Sequence, residues 1–146
     1  MKTIILAGGL GTRISEETGD KPKPMVLVGG KPILWHVLNI YSEQGFNDFV
    51  IATGYMAEVI EEWVETLDEN WTIEAFNTGI DTQTGGRIKQ CMEFFPTDRY
   101  FVTYGDGLGN INLSKLLDFH LKHNRLATVT AVRPPARFGV LEIEKD

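Results

Sequence analysis

The sequence has a single cysteine, Cys91, so no internal disulfide can form. That fits a reducing, cytoplasmic setting and excludes a disulfide-stapled scaffold. No apolar run approaches the length that crosses a bilayer, and Met1-Lys2-Thr3-Ile4 leads straight into a strand-like segment, so neither membrane span nor leader is expected. Histidine is scarce, with three copies, and there is no Ser/His/Asp or Cys/His set, no HExxH and no His/Cys pairing at metal spacing. His36, His120 and His123 each read as packed or surface side chains. Positive charge is also in short supply, with 14 Lys/Arg against 20 Asp/Glu and a net charge of −6. Residues 32–98 carry two basic residues against twelve acidic ones, which speaks against nucleic acid as the main partner. Repeats, low-complexity tracts and linkers are absent too.

What is present is the makeup of one globular domain: 146 residues, 42% hydrophobic and 23% charged. Basic residues outnumber acidic ones only at the two ends, five to three in residues 1–31 and seven to five in residues 99–146. Cationic ends around an acidic middle point to a small anionic ligand held locally.

The apolar period alternates between two and 3.6. Thr3-Ile4-Ile5-Leu6-Ala7 is a buried strand stopped by Gly8-Gly9. Pro32 opens a helix striped by Ile33, Leu34, Val37, Leu38 and Tyr41, which runs to Gly45. A strand over Phe49-Val50-Ile51-Ala52-Thr53 follows, then a helix striped by Val59, Ile60, Trp63, Val64 and Leu67, whose acidic residues form a solvated face. The pattern then predicts a strand at 71–76, a short helix around Ile88, Met92 and Phe95, a strand at 100–104 and a helix around Leu113–Leu121. Ala127-Thr128-Val129-Thr130-Ala131-Val132 reads as a closing strand and Val140-Leu141-Glu142-Ile143 as a half-exposed one. Strands alternating with helices predict an α/β fold: a doubly wound, mostly parallel sheet with helices on both faces.

In such sheets ligands bind beyond the carboxyl ends of the strands. The first strand ends in Gly8-Gly9-Leu10-Gly11-Thr12-Arg13, another in Thr53-Gly54-Tyr55, a third in Tyr104-Gly105-Asp106-Gly107. The first loop is neither standard phosphate motif. Ile14 stands where G-x-G-x-x-G needs its third glycine, and Arg13-Ile14 replaces the Lys-Ser/Thr of a P-loop. It is either a plain glycine turn or a phosphate loop closed by a hydroxyl and a forked cation, Thr12 and Arg13. Lys21-Pro22-Lys23-Pro24 presents two more cations on a stiffened chain, and Gly30-Lys31-Pro32 a third, together a cradle sized for a di- or triphosphate, with Lys31 or Lys21 as the one member expected in solvent. Asp106 is either a turn aspartate or a carboxylate holding magnesium against phosphates, since that ion needs only one or two protein carboxylates. Attack by a sugar phosphate on the α-phosphorus of a nucleotide needs no general base, which matches the missing histidine sets.

Gly8-Gly9-Leu10-Gly11-Thr12-Arg13, Lys21-Pro22-Lys23-Pro24-Met25 and Gly30-Lys31-Pro32 together resemble the signature of sugar-1-phosphate nucleotidylyltransferases, with a Rossmann-like nucleotidyltransferase domain. Arg13 to Thr18, Thr84-Gly85-Gly86-Arg87-Ile88-Lys89, Thr103 to Gly107 and Pro134-Pro135-Ala136-Arg137-Phe138-Gly139 are most similar to the glucose-1-phosphate cytidylyltransferase branch. The resemblance implies transfer of CMP from CTP to glucose 1-phosphate, giving CDP-glucose and pyrophosphate, with Mg2+. It places Leu6, Ala7, Gly8, Gly9, Gly11, Thr12 and Arg13 around the triphosphate and pyrimidine. Arg13 and Lys23 would be the catalytic cations, steadying the leaving pyrophosphate and the α-phosphate. Thr84, Gly85, Gly86 and Arg87 would meet the base and nearby phosphates, with Tyr104, Gly105 and Asp106 also at the nucleotide and Asp106 on the metal. Other members of the family use UTP, dTTP or GTP, and a non-catalytic nucleotide-binding module is the alternative from outside enzymes. Against the family pattern, Leu67 to Thr78 is compact. Residues 1–146 are expected to form the nucleotide-binding domain without the sugar-binding C-terminal part, and the family's tendency to assemble suggests a homo-oligomer.

Overall fold

The computed structural model describes residues 1–10 and 21–132 and divides into two units, Met1–Asn110 and Ile111–Asp146. The first holds a four-stranded parallel sheet of β1 (Lys2–Leu6), β4 (Asp48–Thr53), β5 (Thr72–Asn77) and β6 (Tyr100–Tyr104) in the order β5-β4-β1-β6. Between β1 and β4 come a 3₁₀ turn (Lys23–Met25), a hairpin of β2 (Leu27–Val28) and β3 (Lys31–Pro32), and helix α1 (Ile33–Ser42). Gly29 and Gly30, at φ 59° and 83°, supply the two left-handed residues that a two-residue hairpin needs. Pro32 sits one residue ahead of α1. Helix α2 (Ala57–Glu65) joins β4 to β5, and α3 (Thr84–Phe94) joins β5 to β6.

Alternate residues of the strands serve opposite faces of the sheet. Ile5, Ala7, Phe49 and Ile51 pack with Leu34, Val37 and Leu38 of α1 and Ile60 of α2. Ile4, Leu6, Val50 and Ala52 pack with Cys91 of α3 and the flanking Ile88 and Phe95. Both faces are therefore covered, as the unbroken apolar strand runs require. Each fully buried Ile, Leu, Val or Phe contributes roughly 1.5–3 kcal/mol. The winding also explains the faces. From β1 the chain steps outward through β4 and β5 under α1 and α2, then returns past β1 to β6 under α3. Crossovers of one hand that reverse direction must change face. The reversal lies between the adjacent strands β1 and β6, and that is where a doubly wound sheet opens at its carboxyl end.

In the second unit, α4 (Leu113–His123) is capped by Asn112, whose side-chain oxygen accepts from the Lys115 N–H at 2.8 Å, and it ends at Asn124 in the left-handed region. One expectation fails here. Residues 127–132 form no strand, and Val129 is 88% exposed. A β-branched run supplies only half of what a strand needs; the other half is a neighbouring edge, and nothing pairs with this one among the described residues. The strand expected at 140–143 lies outside the described residues.

Candidate functional site

A cleft of about 300 Å³ opens at the carboxyl ends of β1 and β6. Leu6 to Leu10 form its floor, Lys23 and Pro24 one side, Tyr104 and Asp106 another, and Ile80, Thr82, Gln83, Thr84 and Arg87 the wall where α3 begins. Leu6, Ala7, Gly8, Gly9, Lys23, Thr84, Arg87, Tyr104 and Asp106 thus line one space. Gly105 lies just beneath, its N–H donating to the Leu6 carbonyl at 2.9 Å and tying β6 to the floor. Gly85 and Gly86 stand in the first turn of α3, behind Thr84. Gly11, Thr12 and Arg13 lie outside the described residues.

The cations divide. The Lys23 Nζ stands 2.6 Å from the Asp106 Oδ2, both side chains partly exposed. Such a pair is held by about 1 kcal/mol or less, so an incoming ligand can separate it and take each partner. Lys31 is not at the cleft; its ammonium lies 5.0 Å from the centre of the Trp35 ring. The Trp35 indole donates to Glu69 at 2.6 Å, a bond that holds the Glu69 carboxyl below its ordinary range. Among the cradle's described members Lys23 alone lines the cleft, while an aromatic face competes for Lys31.

Arg87 differs most from its expected place on an anion. It is 5% exposed, and its guanidinium donates to the carbonyls of Thr53 (2.8 Å), Gly8 (2.9 Å) and Ile80 (3.2 Å) and to the Thr78 hydroxyl. Burial lowers its pKa, with the nearby Cys91 thiol acting in the opposite sense. None of these four partners is a carboxylate, so the charge is hydrogen-bonded but not neutralised by them. A buried cation of that kind makes the floor of the cleft electropositive. The first turn of α3 adds to this, because Gln83 gives no side-chain cap and the turn holds no acid.

Ile80, Thr82, Gln83 and Thr78 escaped the motif reading, whereas the strand end Thr53-Gly54-Tyr55 that it singled out contributes through its backbone. Ile80, Thr82 and Gln83 line the wall, and their signal was only their position ahead of Thr84. Tyr55 serves through its backbone: its N–H donates to the Gly8 carbonyl at 3.2 Å. Thr53 and Thr78 build the acceptor set around Arg87, with the Thr78 hydroxyl donating to the Thr53 carbonyl at 2.7 Å. Cys91 is fully buried and its thiol is pushed up to about 11 by burial, which removes it as a nucleophile near neutral pH.

Known proteins resemble this chain along nearly its whole length. A glucose-1-phosphate cytidylyltransferase of Salmonella typhi is 44% identical over 99% of the chain, and a probable glucose-1-phosphate cytidylyltransferase of Bacillus subtilis 42% identical over 99%. The chain spans 65% of the length of each. Among solved structures, HddC from Yersinia pseudotuberculosis, complexed with GMP-PN, superposes with a TM-score of 0.71 at 29% identity, covering 82% of this chain and 54% of that one. The model of the nucleotidyl transferase family matches residues 2–146, which takes in every element that shapes the cleft: this chain belongs to that family.

Proposed function

We propose that the cleft binds CTP and serves a nucleotidyl transfer in which glucose 1-phosphate and CTP become CDP-glucose and pyrophosphate. The observation that carries this is the convergence of Gly8, Gly9, Lys23, Thr84 and Asp106 above the buried Arg87 charge, in a chain this similar to cytidylyltransferases. In that reaction a phosphate oxygen of the sugar phosphate attacks the α-phosphorus. A new P–O bond forms there, the bond to the oxygen bridging to the β-phosphate breaks, and pyrophosphate leaves with the electron pair. The nucleophile is already an anion, so the chain's task is to orient the phosphates and to spread charge. Lys23 takes the α-phosphate once released from Asp106, and Arg13, by the family pattern, the leaving pyrophosphate.

Magnesium fits the donor set. Among the described residues no group of three or more His, Cys, Asp or Glu is gathered, but Asp106 presents a carboxylate at the cleft. An ion that takes one or two carboxylates and completes its sphere with phosphate and water needs no more. Asp106 would hold it, and the ion would neutralise triphosphate charge.

The test is calorimetric titration with CTP, UTP, dTTP and GTP in magnesium, alongside pyrophosphate release with glucose 1-phosphate. The expected result is tightest binding of CTP, with turnover dependent on glucose 1-phosphate. CTP binding without pyrophosphate release identifies a nucleotide-binding module instead. No binding of any of the four nucleotides removes the reading.

A further inference from the structure

We propose that Arg87 is a positioning residue: it fixes the Gly8 peptide from beneath and so aims the backbone of the first loop at an anion in the cleft. The proposal rests on the anion-binding reading of that cleft.

Gly8 is reached from two sides, by the Arg87 Nη2 at 2.9 Å and the Tyr55 N–H at 3.2 Å, both on its carbonyl oxygen. In a trans peptide the carbonyl and the following N–H point in opposite directions. Capturing the Gly8 oxygen therefore turns the Gly9 N–H away from the guanidinium, at a residue that is exposed and lines the cleft. The same Nη2 also donates to the Ile80 carbonyl, and Nη1 to Thr53 and Thr78, so one planar fork spans the floor, the end of β4 and the wall. Lysine has the charge but not the fork.

The glycines record the same demand. A Cβ on Gly8 would overlap the Arg87 Nη1 and Cζ, and one on Gly54 would lie 2.5 Å from Nη1. A Cβ on Gly9 would meet nothing within 4 Å. Gly8 and Gly54 are thus glycines because the guanidinium and a backbone carbonyl, 2.9 Å from each Cβ position, together fill the space beside them, whereas packing asks nothing of Gly9.

The experiment follows the Gly9 amide resonance in the ligand-free chain, together with the affinity for inorganic triphosphate and for CTP, in wild type, Arg87→Ala and Arg87→Lys. Both variants are expected to shift the Gly9 resonance and to weaken triphosphate binding about tenfold. Guanidinium ion below denaturing concentration should restore resonance and affinity in Arg87→Ala and leave wild type unchanged. If either folded variant loses affinity with the Gly9 resonance unmoved, Arg87 contacts the ligand directly and the proposal is wrong. Affinity within about twofold of wild type despite a lower melting temperature reduces Arg87 to a brace of the fold and also overturns it. A wild-type chain that binds triphosphate but not CTP sinks the nucleotide reading and leaves this one standing.

Discussion

Lys23 and Arg87 are both cations at one cleft, and they sit in opposite environments. Lys23 is partly exposed, stands on a 3₁₀ turn, and is paired with a single carboxylate, Asp106. Arg87 is buried on a helix and hydrogen-bonded to four neutral acceptors drawn from three segments far apart in sequence from one another. The wet pair can be exchanged for a ligand; the dry network cannot be exchanged without dismantling the floor. In the proposed reaction, charge that moves with the substrate would be on the lysine and charge that stays fixed on the arginine.

The contrast breaks most visibly at Arg87. Arg87→Ala removes four charge-assisted bonds and is expected to cost at least about 3 kcal/mol. Equilibrium urea unfolding checks this; a loss no larger than that of a surface substitution would place the guanidinium in solvent and erase the contrast.

The dryness itself is measured by Cys91, which packs beside Arg87. Its thiol rises from the ordinary 9.0 to about 11 in the folded state, with burial the larger cause and the Arg87 charge opposing it. The unfolded chain releases this proton first. Stability is thus intact below about pH 9 and drains as pH climbs toward 11, by roughly 2–3 kcal/mol. Comparing urea midpoints of wild type and Cys91→Ala across that window isolates the thiol; parallel curves would show the pocket to be wet.

The glycines give a smaller and sharper contrast. A Cβ on Gly54 would lie 2.5 Å from the Arg87 Nη1 and 2.9 Å from the Gly8 carbonyl oxygen. Gly54→Ala should cost about 1–3 kcal/mol in the same unfolding measurement. Gly9→Ala, with open space around the new methyl, should stay within about 0.5 kcal/mol of wild type. Equal costs would mean that the guanidinium and the Gly8 carbonyl do not crowd position 54.

What the sequence made legible follows from how local each signal is. The sheet and its rim were readable because buried parallel strands appear as unbroken runs such as Ile4-Ile5-Leu6 and because the loops at their ends carry glycine and aspartate. Lys23 and Asp106 were placed on the cleft from strand ends and proline spacing alone. The family resemblance sets Arg87 on the base and nearby phosphates, yet its hydrogen-bond partners Gly8 and Thr53 lie 79 and 34 positions away, and no local pattern reports such a meeting. The Trp35 face that holds Lys31 is likewise visible only in three dimensions. Residues 127–132 have the composition of a strand, but a partner edge is not a property of the segment.

The smallest expected effect on folding is at Lys23. Lys23→Ala removes a partly exposed pair and should change stability by no more than about 1 kcal/mol, a difference that 1 M salt erases by screening. The Arg87→Ala loss should persist in the same salt, because its acceptors are neutral and buried. Binding should respond differently. Without Lys23, Asp106 is left as an unpaired carboxylate facing the triphosphate, so CTP affinity is expected to fall about tenfold in the absence of magnesium. If Asp106 holds magnesium as proposed, the ion would offset that repulsion, so the defect should narrow when it is added. If magnesium leaves the Lys23→Ala defect unchanged, the lysine and the carboxylate are not the exchangeable pair, and the division of labour between the two cations fails at its wet end.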